Sequence, residues 1–273
     1  MTITLFIEKY SILFYGHTRN KNIVLITKYL KENGYITCYS NDVCRKDNVR
    51  TKHNLTLEEN YDHEFIICDP NKESINIYSI RCLYGNQTIE HLYAYGNQFW
   101  RKYKNNRKYL SILSNIGHEG TLEALKYADN VIFKFLINLF NSNLLKDSSI
   151  ILMSDHGVGM PSIYFIYDFY KIEEHLPMLY MIINDRKNIS FEEQYKYIHE
   201  NQQSFITCYD IYNTIGNLIF GDEYKHIRNK TVNNDTPKTQ YGISLFEQIN
   251  QKIRSPKLYK RIGNMVKFIC KNY

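Results

Sequence analysis

Long apolar runs are missing from this chain of 273 residues, and no stretch approaches the ~18 apolar residues that a bilayer-spanning helix needs. A membrane span is therefore not visible in it. The opening MTITLFIEKYSILFY is interrupted by Glu8 and Lys9 and is followed by no small-residue cleavage site. It reads as a strand or a disordered start rather than a signal peptide. No C-x-x-C pair occurs among Cys38, Cys44, Cys68, Cys82, Cys208 and Cys270, which argues against a zinc site built on cysteine and leaves disulfides and buried thiols both open. Acids are missing after Glu247, so Lys252, Arg254, Lys257, Lys260, Arg261, Lys267 and Lys271 form a basic tail. No zinc-finger, RNA-recognition or helix-turn-helix signature accompanies it. The tail is read as the solvated face of a last helix over about 256–271, with no nucleic acid as partner. Internal repeats and Gly/Ser linkers are also missing, and one domain over 1–273 is expected.

What is present suits a folded α/β protein. Apolar residues make up 44% and aromatics 15%, enough for a sizeable core, and the net charge of +6 is modest. Helical spacing runs over 21–32, with Asn33-Gly34 as its stop, and YITCYS follows as a strand. Residues 41–80 lack a clear period and read as an irregular excursion. From Thr88 to Tyr103, one helical face gathers Ile89, Leu92, Tyr93, Gly96, Phe99, Trp100 and Tyr103, which marks core packing rather than a ligand platform. Strands are expected at 108–115, 149–153 and 177–183, the last of them buried. The helix between the first two should bury Leu122, Leu125, Ala128, Ile132, Phe133, Leu136 and Phe140. Helices at 191–200 and 209–220 follow. The alternation predicts a mostly parallel sheet flanked by helices.

Ligands of open parallel sheets sit beyond the carboxyl ends of the strands. Two strands here end in ligand-type residues. Strand 108–115 runs into Gly117-His118-Glu119-Gly120, and strand 149–153 runs into Ser154-Asp155-His156-Gly157. A single connecting helix should place both ends on one edge of the sheet. Carboxylate and imidazole suit Zn²⁺, Mn²⁺ or a similar divalent ion, and Gly157 permits a sharp turn beneath it. The alternative use of His118 and Asp155, capping helices or satisfying loop backbone, needs no metal.

The ordered series RCLYGNQTIEHLYAYGNQFWRKY, GHEGTLEALKYADNVIFKFL, NLLKDSSIILMSDHG, IEEHLPMLYMII, ITCYDIYNTIGNLI and GISLFEQI resembles the alkaline phosphatase/sulfatase superfamily, in particular its DUF229 branch. YLKENGYITCYSND resembles the helix and strand that carry G-Y-x-T in those proteins. The resemblance implies a metal-dependent phosphate- or sulfate-ester hydrolase or transferase. Its partner would be an anionic ester substrate, glycan- or lipid-linked. The cofactor implied is a divalent metal ion, Zn²⁺ or Mn²⁺, with Ca²⁺ or Mg²⁺ as alternatives. Asp155 and His156 match the adjacent Asp-His metal ligands, and His118 matches the His after the preceding core strand. Ser114 stands where many relatives carry an Asp, and His175, His199 and His226 are open candidates for a third imidazole.

Upstream the pattern departs. The resemblance calls for a first core strand ending in a metal-binding Asp, then a Ser, Thr or formylglycine nucleophile. The first Asp of this chain is Asp42, and Ser11 and Thr18 are the only hydroxyls roughly in place. The expectation is an alkaline phosphatase-like core lacking its N-terminal strand, truncated or degenerate, with no assigned nucleophile. A catalytically inactive binding module of the same fold is the other reading. Sequons at Asn54, Asn86, Asn188, Asn229 and Asn234, with the family resemblance, lean toward the secretory pathway or cell surface.

Overall fold

The computed structural model describes residues 2–8, 26–42, 61–67, 82–117, 125–145, 148–154, 177–183, 191–224 and 242–250. The chain divides into two compact units, one of Met1–Ser11 with Val24–Asn184, the other of Ile12–Ile23 with Asp185–Tyr273.

The first unit is built on a six-stranded sheet. Its strands are β1 (Thr2–Glu8), β2 (Ile36–Asn41), β3 (His63–Ile66), β6 (Lys108–Ser114), β7 (Ser148–Ser154) and β8 (Leu179–Ile183), in the order β3-β2-β6-β1-β7-β8. All neighbours pair in parallel except β7 and β8, which are antiparallel. A small antiparallel pair, β4 (Cys82–Leu83) and β5 (Asn86–Gln87), stands apart. The mostly parallel sheet expected from the alternation of elements is the one observed.

The opening, read from the sequence as a strand or a disordered start, is a strand. Thr2–Glu8 forms β1, which lies between β6 and β7 and pairs with both along its whole length. The physical reason is legible in TITLFI, a run of β-branched and large apolar residues of the kind that central parallel strands use. Glu8 does not interrupt a segment; it ends a strand.

Helix α1 (Ile26–Glu32) stops as expected at Gly34, which adopts φ +76° while its N–H donates to Lys31 O at 2.9 Å. Residues 21–25 of the helix expected there lie outside the described residues. At the start of β2, Thr37 donates from both N and Oγ1 to Asp62 (2.7 and 2.8 Å), and Lys31 pairs with the same carboxylate at 3.2 Å. Among the described residues, the irregular excursion expected over about 41–80 contains strand β3, held beside β2.

Helix α2 (Thr88–Lys102) is capped by Glu90, which accepts from Gln87 N at 3.0 Å, and it carries Arg101 and Lys102 in its last turn. It buries Ile89, Leu92, Tyr93, Gly96, Phe99 and Trp100, the face its spacing predicts, with Tyr103 partly buried. A Cβ at Gly96 would lie 3.0 Å from Ile112 Cδ1 and 3.1 Å from Leu110 Cδ2, so glycine lets α2 approach β6 closely. Helix α3 (Leu125–Asn141) packs Phe135 edge-on to Tyr93.

Two buried faces need correction. On α3 the core side is Ala128, Phe135 and Leu139, while Leu125, Phe133 and Phe140 are exposed and Leu122 lies outside the described residues. The stretch VIFKFLINLF is apolar nearly all round, so its period cannot select one face. Strand β8 is an edge strand rather than a buried one, with Tyr180 65% exposed on its outer face.

In the second unit, α4 (Phe191–Glu200) and α5 (Cys208–Phe220) accompany the segment 242–250. Asp210 caps α5 by accepting from Thr207 N at 2.6 Å, and its other oxygen accepts from Ile243 N at 2.7 Å. Asn201 donates to Leu245 O and Glu247 O and accepts from Ile249 N, so a side chain satisfies backbone groups of the segment 242–250. The basic helix expected over about 256–271 lies outside the described residues.

Candidate functional site at the carboxyl edge of the sheet

Parallel pairing fixes which residues meet at one edge. In register, Glu8 at the end of β1 stands opposite Ser114 at the end of β6 and opposite Ser154 at the end of β7. The three central strands therefore finish level. Strand β2 finishes beside them, with Asn41 opposite Leu113 and Asp42 N donating to Leu113 O at 3.4 Å. The expectation that strands 108–115 and 149–153 are parallel near neighbours with a common edge is met, with β1 between them.

The end of β6 is held by a carboxylate. Asp42 accepts from Ser114 Oγ at 2.9 Å through one oxygen and from Asn115 N at 2.7 Å through the other, and Ile116 N donates to Ser114 Oγ at 3.3 Å. Burial raises the Asp42 carboxyl to about 6, against the donors Asn115 N and Ser114 Oγ, which pull it down. Strand β7 is pinned differently: Met178 N donates to Ser154 Oγ, and Ser154 N donates to Met178 O, both at 3.0 Å.

Beside this clamp, Asn115 is only 7% exposed, yet among the described residues neither its Oδ1 nor its Nδ2 has a hydrogen-bond partner. Each buried polar group left unpaired costs ~1–3 kcal/mol. A native structure keeps few such groups, and each calls for an explanation.

The residues singled out in the sequence begin where these strands end. Asp155 and His156 follow Ser154, and His118 follows Gly117; all three lie outside the described residues, as do Glu119, His175, His226, Ser11 and Thr18. His199 is described, in the last turn of α4 in the second unit, with Nδ1 3.4 Å from Gln202 Nε2. Among the described residues no group of three or more His, Cys, Asp or Glu could hold a metal ion by itself.

Sequence reasoning missed Glu8, Asp42 and Asn115. For Glu8 the signal was available, since a carboxylate closing a β-branched run is the pattern already recognised at Asp155. It was passed over because the resemblance calls for Asp. Nothing in the spacing announces Asp42 or Asn115, whose meeting depends on β2 lying next to β6.

Known proteins supply the remaining context. The family described as "Protein of unknown function (DUF229)" matches residues 10–260. No curated protein matches the chain. Among solved structures, the lipoteichoic acid synthase LtaP from Listeria monocytogenes is similar at 15% identity and a TM-score of 0.41, over 60% of this chain and 47% of that one. A protein in the alkaline phosphatase superfamily from Vibrio parahaemolyticus is similar at 15% identity and a TM-score of 0.42, over 67% and 60%. Ps i-CgsB, solved in complex with k-i-k-neocarrahexaose, shares 18% identity at a TM-score of 0.36, over 48% and 40%. The chain thus spans about half the length of the solved structures it matches. The match over residues 10–260 shows that the chain belongs to the DUF229 family, the branch its motifs resemble.

Proposed function

We propose that this protein is a metal-dependent phosphate- or sulfate-ester hydrolase or transferase, with its site at the carboxyl edge of β1, β6 and β7. The observation that carries the reading is the level ending of those strands. It sets Glu8, Ser114 and Ser154 level, and in the sequence the Asp155-His156 pair follows directly on Ser154 and His118 comes four residues after Ser114, which supports one shared site. The donor set fits a divalent ion: carboxylate oxygens and imidazole nitrogens suit Zn²⁺ or Mn²⁺, and Ca²⁺ or Mg²⁺ would draw on the carboxylates. Asp155, His156, His118 and Glu8 are the residues that would hold it. When bound, such an ion supplies Lewis-acid polarisation of an ester oxygen.

The chain's own contribution is placement. Asp42 fixes the exit of β6 through Ser114 and Asn115, and hence the start of the loop that carries His118. The Met178 contacts fix the exit of β7 before Asp155. Rigid support of this kind keeps a site within the tolerance that chemistry needs. The substrate proposed is an anionic ester, glycan- or lipid-linked, reached along the secretory pathway or at the cell surface. No helix among the described residues is long and apolar enough to cross a membrane.

The test is turnover of aryl phosphate and aryl sulfate by the full chain supplied with Zn²⁺ or Mn²⁺. Hydrolysis lost in Asp155→Ala and in His156→Ala, with circular dichroism unchanged, supports the reading. Equal rates in all three proteins contradict it. Metal uptake without turnover identifies the catalytically inactive binding module instead.

A further inference from the structure

The Asn115 side chain is the feature of this edge that packing does not explain. Its backbone is fixed on three consecutive residues, because Ser114 Oγ and Asn115 N both donate to Asp42 and Ile116 N donates to Ser114 Oγ. Its carboxamide, with two donor hydrogens and an acceptor oxygen, is buried and has no hydrogen-bond partner among the described residues. Leucine has nearly the same shape and would fill the space without unpaired polar atoms. A buried amide kept where an isostere would be more stable is the mark of a group retained for a ligand.

The surroundings select the chemistry. Asp42 is an acceptor when ionised, and the Ser114 hydroxyl proton is committed to it. An oxygen-rich ligand at this edge needs donors, and Asn115 Nδ2 supplies them without adding a charge to a buried place. Neutral amide donors of this type stabilise oxyanions in water-excluded sites.

We propose that Asn115 is a ligand-binding residue, donating from Nδ2 to a non-bridging oxygen of a phosphate or sulfate ester. The assignment rests on the ester-site reading above and deepens it. Asn115 stands at the exit of β6, three residues ahead of His118 in the sequence. Asp42 acts through Asn115 as a positioning residue: it fixes the backbone and leaves the carboxamide free for the ligand.

The experiment compares wild type, Asn115→Leu and Asn115→Ala by calorimetric binding of inorganic phosphate and, in a parallel arm, inorganic sulfate, with Mn²⁺ present. Melting temperature without anion and metal content are measured on the same samples. A hydrogen bond to a charged oxygen predicts anion affinity weakened about tenfold or more in both variants. Metal content stays unchanged, and the anion-free Asn115→Leu chain melts at least as high as wild type. Unchanged anion affinity in the variants overturns the assignment, and so does a wild type that binds neither anion. An Asn115→Leu chain that melts several degrees lower with unchanged affinity shows a structural amide. Asn115→Ala serves where the leucine chain does not fold. Anion binding that depends on Asn115, without ester turnover, would sink the hydrolase reading alone. Turnover intact, with unchanged affinity in the variants, would sink the Asn115 assignment alone.

Discussion

At the amino end of β6, the Lys108 ammonium lies over the Trp100 ring, 4.8 Å from its centroid, and donates to Tyr103 O at 2.9 Å. Nearby, His63 Nε2 and Tyr103 OH lie 2.7 Å apart, and the Phe99 ring packs against both. At the carboxyl end of the same strand, Asp42 holds the backbone of Asn115 while the Asn115 amide remains unpaired. Both ends bury polar groups. At the first, the ammonium is given an aromatic face and a carbonyl; at the second, a buried amide is left unmatched. Ser149 Oγ at the amino end of β7 is also buried without a partner among the described residues, so the contrast holds for the two ends of β6: the amino end is paired and packed, and the carboxyl end leaves a whole carboxamide unmatched. Open parallel sheets generally divide their labour in this way.

The largest effect should come from breaking the settled edge. Trp100 is fully buried, donates from Nε1 to Leu144 O at 3.3 Å and carries the Lys108 contact. Trp100→Ala should destabilise the fold by about 3–5 kcal/mol in urea denaturation. A loss below 1 kcal/mol would mean that this edge is not where the stability lies.

A second test reads the charge at that edge. Burial lowers the Lys108 ammonium from 10.5 to about 8. Between those values the unfolded chain holds more protons than the folded one, so stability rises with pH across the window. Lys108→Met lacks this slope. The stability difference, variant minus wild type, should shift in favour of wild type as pH rises from about 8 to 10.5, and a flat difference would contradict the burial.

The opposite slope belongs to the carboxyl edge. The Asp42 carboxyl is raised by burial from 3.8 to about 6, so the folded chain holds the extra proton between those values. Wild-type stability therefore falls as pH rises through that window, and the cost remains above it. In Asp42→Asn, Oδ1 can still accept from Asn115 N, and the slope should vanish. A persisting slope would assign it to another group.

These tests also mark what the sequence could and could not convey. The face of α2 was readable because its apolar residues recur at helical spacing between charged ones, and the edge shared by β6 and β7 followed from a single crossover helix. The buried side of α3 was not readable, since VIFKFLINLF offers apolar residues on every side. Strand β1 was only half readable, as a strand or a disordered start, because Glu8 looked like an interruption of the apolar run when it is the last residue of the strand. The pairing of Asp42 with Ser114 and Asn115 joins residues 72 and 73 positions apart, and only the placement of β2 beside β6 reveals it.

The smallest effect is expected on the exposed face of α3. Phe140 is 69% exposed on α3, and Phe140→Ser should change stability by no more than about 0.5 kcal/mol. A larger loss in thermal or urea unfolding would show that this face is covered in solution.

The proposed function requires a metal site at the level ends of β1, β6 and β7. The most direct measurement is metal content by mass spectrometry after equilibration with Mn²⁺ or Zn²⁺ and removal of free ion. Four proteins are compared: wild type, Glu8→Gln, Asp155→Ala and Lys108→Met. The account predicts that wild type and Lys108→Met retain metal, while the two carboxyl-edge variants lose most of it with circular dichroism unchanged. Equal metal in all four proteins, or none in any, would contradict it.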